Sequence, residues 1–261
     1  MLTHVVQRWR SRRDSYRPAG EVIATHRYEV ARLDRDAEAK AFVVAHHYSS
    51  SYPAARFRFG LFEQHELVGV AVFSAPFPAA LEAAALPAES LVELSRFVLL
   101  DRVPANAETW MLARCWELLR QDADAVLSFS DPMPRRSADG NVVFGGHVGT
   151  IYRAHNGVFL GQAKPRTIRL LPDGSVLSAR AIQKVRAGER GWRYSAALLE
   201  RHGAPALVDP AEGRSWLATW LPRITRTARH PGCRRYAWAL DRRLRRHMPE
   251  GLPYPKVEVR R

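Results

Sequence analysis

L-V-E-L-S-R-F-V-L-L, residues 91–100, is a nearly continuous apolar run. Such a run is typical of a strand buried on both faces, so we place it at the centre of the sheet. The sequence then predicts an amphipathic helix over 107–120, with Asn106 as its cap. A further strand is predicted over 125–130.

The strand over 125–130 leads into S-F-S-D-P, residues 128–132. Twelve residues later follows G-G-H-V-G-T-I-Y-R-A-H-N-G-V-F-L-G, residues 145–161, which predicts a short helix and then a strand over 157–161. Ligands of α/β sheets usually bind at strand ends, in loops that a rigid sheet holds in place. We therefore expect a site here, with these candidate residues: Ser128, Ser130, Asp131, His147 and Tyr152.

The predicted elements follow the order β-α-β-β-β-α-β-α-β, with an extra strand late in the chain. This is the order of an acetyltransferase-like (GNAT) α+β fold, a mixed sheet flanked by helices. In that fold the helix over 107–120 turns its N-terminus toward the cofactor pyrophosphate. The predicted parts are a basic N-terminal arm (1–20), a GNAT-like catalytic core (21–163), a basic insertion before the last strand (164–233), for which DNA contact is argued below, and the last core strand with a basic tail (234–261).

Positive charge is concentrated in the last part of the chain. Residues 1–160 hold 18 basic and 18 acidic residues, whereas residues 161–261 hold 22 basic and eight acidic residues. The net charge of +14 therefore lies entirely in the second part. The bases are almost all arginines, which suit bidentate contacts to phosphate and guanine. A GC-rich genome explains arginine over lysine but not this partition, which favours nucleic acid as the partner.

Composition excludes several other classes of protein. No run of 18 apolar residues is present, so no membrane partner is expected. The N-terminus carries charge without a following apolar stretch, which argues against a signal peptide. The two cysteines, Cys115 and Cys233, are too far apart for a metal knuckle or a disulfide framework. We expect a protein of a reducing cytoplasm.

Eight fragments, in this order and combination, resemble the Mom proteins of bacteriophages. They are H-H-Y-S-S-S-Y-P (46–53), V-E-L-S-R-F-V-L (92–99), N-A-E-T-W-M-L (106–112), S-F-S-D-P (128–132), G-H-V-G-T-I-Y-R-A (146–154), P-R-T-I-R-L-L-P-D-G (165–174), Y-A-W-A-L-D (236–241) and P-Y-P-K (253–256). The resemblance implies a GNAT-like transferase that converts adenine in double-stranded DNA to its N6-carbamoylmethyl form and so protects phage DNA from restriction. Two alternatives stay open: a GNAT-like N-acyltransferase acting on a small amine or a protein, and a nonenzymatic DNA-binding protein.

Adenine N6 is a poor nucleophile, because its lone pair is delocalised, and it needs a group that accepts its proton. Asp131, followed by Pro132, can accept one N–H, as an Asp-Pro-Pro loop does in adenine methyltransferases, or can cap a turn. Tyr152 can protonate the leaving group, stack on a flipped base, or serve as a half-buried tyrosine. His147 can orient the carboxylate or cap the short helix.

Upstream, H-H-Y at residues 46–48 interrupts a helix. His46 and His47 cannot both face one point, so we expect one of them, with Tyr48, to reach the site. His47 and Tyr48 are therefore further catalytic candidates. A histidine with Asp131 can hold a metal, although lone histidine pairs usually do not, so the need for a metal stays open.

The cofactor residues implied by the GNAT-like fold are Ser95 and Arg96 on the central strand and Asn106 at the helix start. Arg96 also suits a structural ion pair. The loop before the helix reads L-D-R-V-P-A-N-A-E-T and lacks the glycines that usually cradle coenzyme A phosphates. Acetyl-CoA and an aminoacyl-tRNA, which would make tRNA a partner, are both retained as acyl donors.

Adenine N6 in a duplex is reached by flipping the base out of the stack. The insertion offers basic and aromatic residues for this task around R-A-G-E-R-G-W, residues 186–192. They are Arg180, Lys184, Arg186, Arg190 and Arg193, with Trp192 and Tyr194 as wedging or stacking groups. The alternative is a solvated helical face with Trp192 in a small core.

Overall fold

A computed structural model describes residues 5–84, 86, 88–147 and 149–255 of the 261. The chain forms two compact units. The first contains Met1–Pro132, His147–Ala163 and Cys233–Arg261, and the second contains Met133–Gly146 and Lys164–Gly232. Val148 and Lys256, which belong to two of the fragments quoted above, lie outside the described residues, as does the end of the predicted tail.

The strands are β1 (Val5–Arg10), β2 (Arg13–Pro18), β3 (Tyr28–Arg32), β4 (Ala55–Glu63), β5 (Glu66–Ser74), β6 (Leu91–Leu99), β7 (Ala125–Ser130), β8 (Arg135–Arg136), β9 (Val142–Phe144), β10 (Val158–Gln162), β11 (Arg166–Leu170), β12 (Val176–Leu177), β13 (Arg226–His230) and β14 (Arg234–Ala239). The helices are α1 (Asp36–His46), α2 (Pro78–Ala84), α3 (Ala107–Leu119), α4 (Thr150–Ala154), α5 (Ala179–Ala187), α6 (Trp192–Glu200), α7 (Gly213–Ile224) and α8 (Arg242–Arg245).

The first unit is built on a seven-stranded sheet in the order β10-β14-β7-β6-β5-β4-β3. Its neighbours are antiparallel except β6 and β7, which are parallel and are joined through α3. The last strand, β14, lies between β7 and β10, so the insertion leaves from the edge strand β10 and returns into the strand beside it. This order confirms the predicted α+β GNAT-like fold, with β6 as the central strand.

The core of the first unit forms between this sheet and α3. Strand β6 buries Leu91, Val92, Leu94, Val98 and Leu99, as its apolar run predicts. Helix α3 supplies Met111, Leu112, Cys115, Trp116 and Leu119 from one side. Each large apolar side chain buried in this way stabilises the fold by about 1.5–3 kcal/mol, so this layer holds the strand ends of the site in place.

The N-terminal arm predicted over residues 1–20 is instead a hairpin, β1 paired with β2, from Val5 onward. Arg8 is 1% exposed, and its Nη2 donates to the carbonyl oxygen of Pro104 at 2.9 Å. Arg17 donates to the carbonyl oxygen of Asp101, and its guanidinium pairs with Glu21. The contacts to Pro104 and Asp101 span a large part of the sequence, so no local pattern could reveal them.

The second unit has its own sheet, β12-β11-β13, a short hairpin of β8 and β9, and helices α5, α6 and α7. Its apolar core includes Leu171, Val185, Leu199, Trp216 and Leu217. With residues 133–146 included, the unit carries 15 basic and six acidic residues, a net charge of +9.

Two predicted boundaries in this region are wrong. The core predicted over 21–163 included residues 133–146, which belong to the second unit. The spacing of apolar residues such as Trp216, Leu217 and Leu221 predicts a helix over 213–229, but the helix ends at Ile224, because Thr225 adopts extended backbone and the chain continues as β13 beside β11. Arg226 and Arg229 are therefore strand residues. Within the described ranges, no helix has both the length and the apolar character needed to cross a membrane.

Candidate functional site

The site of the first unit forms where β6 and β7 separate. Their parallel pairing begins at Leu91 with Ala125 and ends at Leu94 with Ser128. On the other side of β6, Val72 pairs with Arg96 and Phe73 with Leu94, so Ser95 is an extra residue in a β-bulge. Bulges bend a strand and re-aim its side chains. The sheet therefore opens directly after Leu94.

A cavity of about 50 Å³ occupies this opening. A single water needs roughly 10–15 Å³ of such space, so the cavity has room for a group of a few heavy atoms. Five predicted site residues line it: His47, Tyr48, Ser95, His147 and Tyr152. They come from the end of α1, from the bulge and from α4, so the fold brings together residues that are far apart in the sequence.

Tyr152 is held in the cavity wall by the short helix α4. The helix begins after Gly149, whose φ of 80° is a left-handed conformation that glycine adopts at little cost. Tyr152 is 5% exposed, packs on Tyr236 and Trp238, and is hydrogen-bonded to the Ser128 hydroxyl. Burial raises the pKa of Tyr152 well above its ordinary value. Its hydroxyl is therefore protonated and can donate a proton or a hydrogen bond.

His47 and His147 are held in matching ways. The backbone N–H of Ser49 donates to His47 Nδ1 at 3.1 Å, and that of Gly149 donates to His147 Nδ1 at 3.4 Å. An acceptor at Nδ1 leaves the proton of the neutral ring on Nε2. Burial lowers the pKa of His47 well below its ordinary value, and lowers that of His147 to about 4 against the attraction of Asp131. Both rings are neutral near pH 7.

Asp131 follows β7 directly and is half-buried. Its carbonyl oxygen accepts the backbone N–H of His147 at 2.6 Å, and its carboxylate opposes the fall in the His147 pKa. The two preceding serines, Ser128 and Ser130, are fully buried. Ser128 donates to the carbonyl oxygen of Leu94 at 3.1 Å, across the last pair of the parallel strands. Its role is thus to tie the strands and to hold Tyr152.

Arg96 is not in a close ion pair with an acidic group of the described residues; it holds the loop after α1. Its Nε donates to the carbonyl oxygen of Ser51 at 2.7 Å, and its Nη2 donates to the Ser51 hydroxyl at 2.8 Å. This loop carries Ser49, which binds His47. Arg96 therefore positions His47, and its positive charge also contributes to the low pKa of that ring.

Two further charged residues line the cavity and were missed by the sequence reasoning. Arg8 comes from β1, and Glu108 comes from the first turn of α3; Arg8 Nε lies 3.2 Å from Glu108 Oε1. Burial raises the pKa of Glu108 to about 7, although Arg8 opposes the change. Glu108 was visible in the N-A-E fragment, but Arg8 lay in a segment predicted as an arm.

Coenzyme A, the cofactor that the fold class implies, does not fit the loop before α3. The backbone N–H of Ala105 donates to the Glu21 carboxylate at 3.0 Å, and that of Asn106 donates to the Glu21 carbonyl oxygen at 3.3 Å. The N–H of Ala107 donates to the Pro104 carbonyl oxygen at 3.0 Å. The amides that a pyrophosphate would need are thus already used. Asn106 itself makes no side-chain cap.

The arrangement does not define a metal centre. Among the described residues, no group of three or more His, Cys, Asp or Glu side chains is placed to hold an ion.

The predicted DNA-contacting residues lie in the second unit, on α5, on α6 and in the turn between them. Arg180 forms an ion pair with Glu189. Three arginines, Arg186, Arg190 and Arg193, are exposed, while Lys184 is half-buried. Trp192 packs against the apolar core of this unit, with Arg193 over its ring. Tyr194 is 72% exposed and is therefore better placed than Trp192 to stack on a base.

Comparison with known proteins gives one family. A model of the Mom protein family matches residues 27–207, more than half of the chain. No curated protein matches. Among solved structures, a tandem GNAT protein from the clavulanic acid biosynthesis pathway is 8% identical, covers 82% of this chain and 99% of its own, and has a TM-score of 0.42. A putative acetyltransferase from Pyrococcus horikoshii is 12% identical, covers 84% and 92%, and has a TM-score of 0.35. The strand order of the sheet, and not these low scores, identifies the fold.

Proposed function

The chain belongs to the Mom protein family, and we propose that it transfers a carbamoylmethyl group to the N6 amine of adenine in double-stranded DNA. The observation that carries this proposal is the cavity between β6 and β7, where two neutral histidines and a protonated tyrosine lie together, with Asp131 directly after the adjoining strand. Such a set suits proton transfer at a weakly nucleophilic amine.

In the proposed reaction a bond forms between adenine N6 and the donor carbon, and one N6–H bond breaks. The Asp131 carboxylate accepts that proton. The bond from the donor carbon to its leaving group breaks, and the Tyr152 hydroxyl supplies the proton that the leaving group takes. Ser128 holds Tyr152 for this role, and His147 fixes the Asp131 backbone through the 2.6 Å hydrogen bond.

The donor in this proposal carries the carbamoylmethyl carbon on an activated leaving group and is not a coenzyme A thioester. The occupied amides before α3 argue against acetyl-CoA. An aminoacyl-tRNA suits a basic protein and needs no pyrophosphate cradle, but its acyl carbon would form an amide at N6, so it would give the carbamoylmethyl form only after a rearrangement.

The second unit supplies the electrostatic attraction to DNA. Its net charge is +9, and Arg186, Arg190 and Arg193 form no ion pair with an acidic group among the described residues. Such exposed arginines bind phosphates and release counterions. Tyr194 is the exposed aromatic group for stacking on a displaced base.

Mass spectrometry of nucleosides tests the proposal. Plasmid DNA from cells that express the protein should contain deoxyadenosine heavier by one carbamoylmethyl group, and DNA from cells that express Asp131→Asn should not. Unmodified deoxyadenosine alone, in cells with abundant folded protein, would refute the proposal.

A further inference from the structure

Arg8 is buried without using all of its donors. Its side chain is 1% exposed. Nη2 donates to the Pro104 carbonyl oxygen at 2.9 Å, and Nε lies 3.2 Å from Glu108 Oε1. Nη1 is shielded from solvent and has no hydrogen-bond partner in the described part of the chain. An unsatisfied buried N–H of a charged group is costly, so its retention beside a cavity calls for a reason.

The cavity that Arg8 lines contains a matching acceptor. Glu108, also in its wall, offers carboxylate oxygens, and its side chain is 11% exposed. The wall also includes Trp9, Leu94 and Phe97, beside the histidines and tyrosines described above. A ligand in this space therefore meets one donor and one acceptor side by side.

We propose that Arg8 and Glu108 bind the carboxamide end of the group that the enzyme transfers. The amide oxygen accepts from Arg8 Nη1, and the amide N–H donates to the Glu108 carboxylate. This inference rests on the proposed function, since that function supplies a two-carbon group ending in a primary amide.

The charges of Arg8 and Glu108 favour a primary amide over other small polar groups. At pH values above the Glu108 pKa of about 7, the Arg8–Glu108 pair is net neutral, so a neutral ligand with a donor and an acceptor on adjacent atoms fits without a change of protonation. A carboxylate would face Glu108 with a like charge. A group without N–H would leave Glu108 with no new donor. At about 50 Å³ the cavity has room for a group of this size.

Binding of acetamide to the purified full-length protein tests the inference. The indole N–H signal of Trp9, identified with Trp9→Phe, reports occupancy by NMR, because Trp9 lines the cavity. Acetamide should shift this signal saturably, whereas N,N-dimethylacetamide, which lacks N–H, and acetate at pH 8 should bind at least tenfold more weakly. These three ligands test the wild-type protein, so the result does not depend on a variant that folds.

Two variants extend the test. Glu108→Leu and Arg8→Met should each weaken acetamide binding about tenfold or more, because each change removes one of the two hydrogen-bonding partners of the ligand. Glu117→Gln, an exposed change on the same helix, should bind acetamide as the wild type does. Equal binding of all three ligands, or unchanged affinity in folded Glu108→Leu, would overturn the inference. If acetamide binds as expected but no modified DNA is found, the proposed function is wrong, whereas the inferred binding site is retained.

Discussion

The backbone N–H of His147 donates to the carbonyl oxygen of Asp131 over 2.6 Å. This bond closes the point where the chain leaves the first unit at Pro132 and re-enters it at His147. The carboxylate after β7 and the helix that carries Tyr152 are thereby joined, although residues 132–146 lie between them in the sequence. The position of Asp131 thus depends on a backbone contact that a side-chain substitution preserves.

Asp131→Asn should therefore abolish adenine modification without unfolding the protein. The amide retains the shape of the carboxylate but does not accept a proton near pH 7. Nucleoside mass spectrometry measures the modification, and thermal melting measures stability, which should change by less than about 1 kcal/mol for a half-buried residue outside the core. Loss of cooperative melting would show that Asp131 is structural.

Tyr152→Phe should also abolish modification, with a small cost in stability. The ring packing on Tyr236 and Trp238 is retained, while the hydrogen bond to Ser128 is removed. A hydrogen bond of this kind contributes about 1 kcal/mol. Chemical denaturation measures that cost, and Ser128→Ala should show a similar one. Full activity of Tyr152→Phe would show that Tyr152 does not protonate the leaving group.

Stability should fall as the solution is acidified through the range of His147. Its pKa in the folded protein is about 4, below the ordinary histidine value of about 6.5. The unfolded chain therefore binds the proton first, and the stability present above pH 6.5 is lost as pH falls toward 4. The expected loss is on the order of 3 kcal/mol. Denaturation curves at several pH values should show a shallower decline in His147→Gln, with His47 responsible for part of the remainder.

An exposed histidine provides the control for this pH series. His26 lies on the surface of the first unit, so His26→Gln should keep the wild-type decline. If His147→Gln and the wild type lose stability in parallel, the His147 ring is not the neutral, buried group described above.

The sequence predicted the sheet well because its signals are local. Each signal can be recognised within a short stretch of chain. They are the apolar run of β6, the amphipathic face of α3 and the Asp-Pro after β7. The candidate residues Asp131, His147 and Tyr152 were chosen on a signal of the same local kind, because they follow a strand end.

What the sequence could not reveal depends on distant contacts. Arg8 looked like one more surface base in a basic arm, and its burial beside Glu108 needs β1 to pack on the loop before α3. Similarly, β13 was read as the end of a helix, because only its pairing with β11 makes it a strand. In both cases the contacting residues are too far apart in the sequence to appear in one periodic pattern.

Gly149→Ala should displace α4 and cost more stability than Gly140→Ala. Both glycines have a left-handed φ, 80° and 82°, which costs an alanine about 1–2 kcal/mol. At Gly149 the added Cβ would also lie 2.7 Å from the Tyr236 ring, whereas at Gly140 it would meet nothing within 4 Å. Overpacking of this kind costs about 1–3 kcal/mol more. Thermal melting measures the difference, and modification should be abolished only in Gly149→Ala.

The last prediction concerns the basic second unit. Changing Arg186, Arg190 and Arg193 together to glutamine should weaken DNA binding and flatten its salt dependence, by about 0.9 log unit in slope for each phosphate that is no longer neutralised. The three side chains are exposed, and none pairs with an acidic group among the described residues. Fluorescence anisotropy with a labelled duplex at several salt concentrations measures both quantities.

The matched control is a set of three arginines in the first unit: Arg56, Arg58 and Arg102. Two of them are already neutralised, since Arg58 pairs with Asp36 at 3.3 Å and Arg102 pairs with Glu66 at 2.6 Å. Changing this set should therefore leave the salt slope nearly unchanged. Equal reductions from both sets would show that the electrostatic footprint extends over the GNAT-like unit, and that the concentration of charge after residue 160 does not mark the DNA-binding surface.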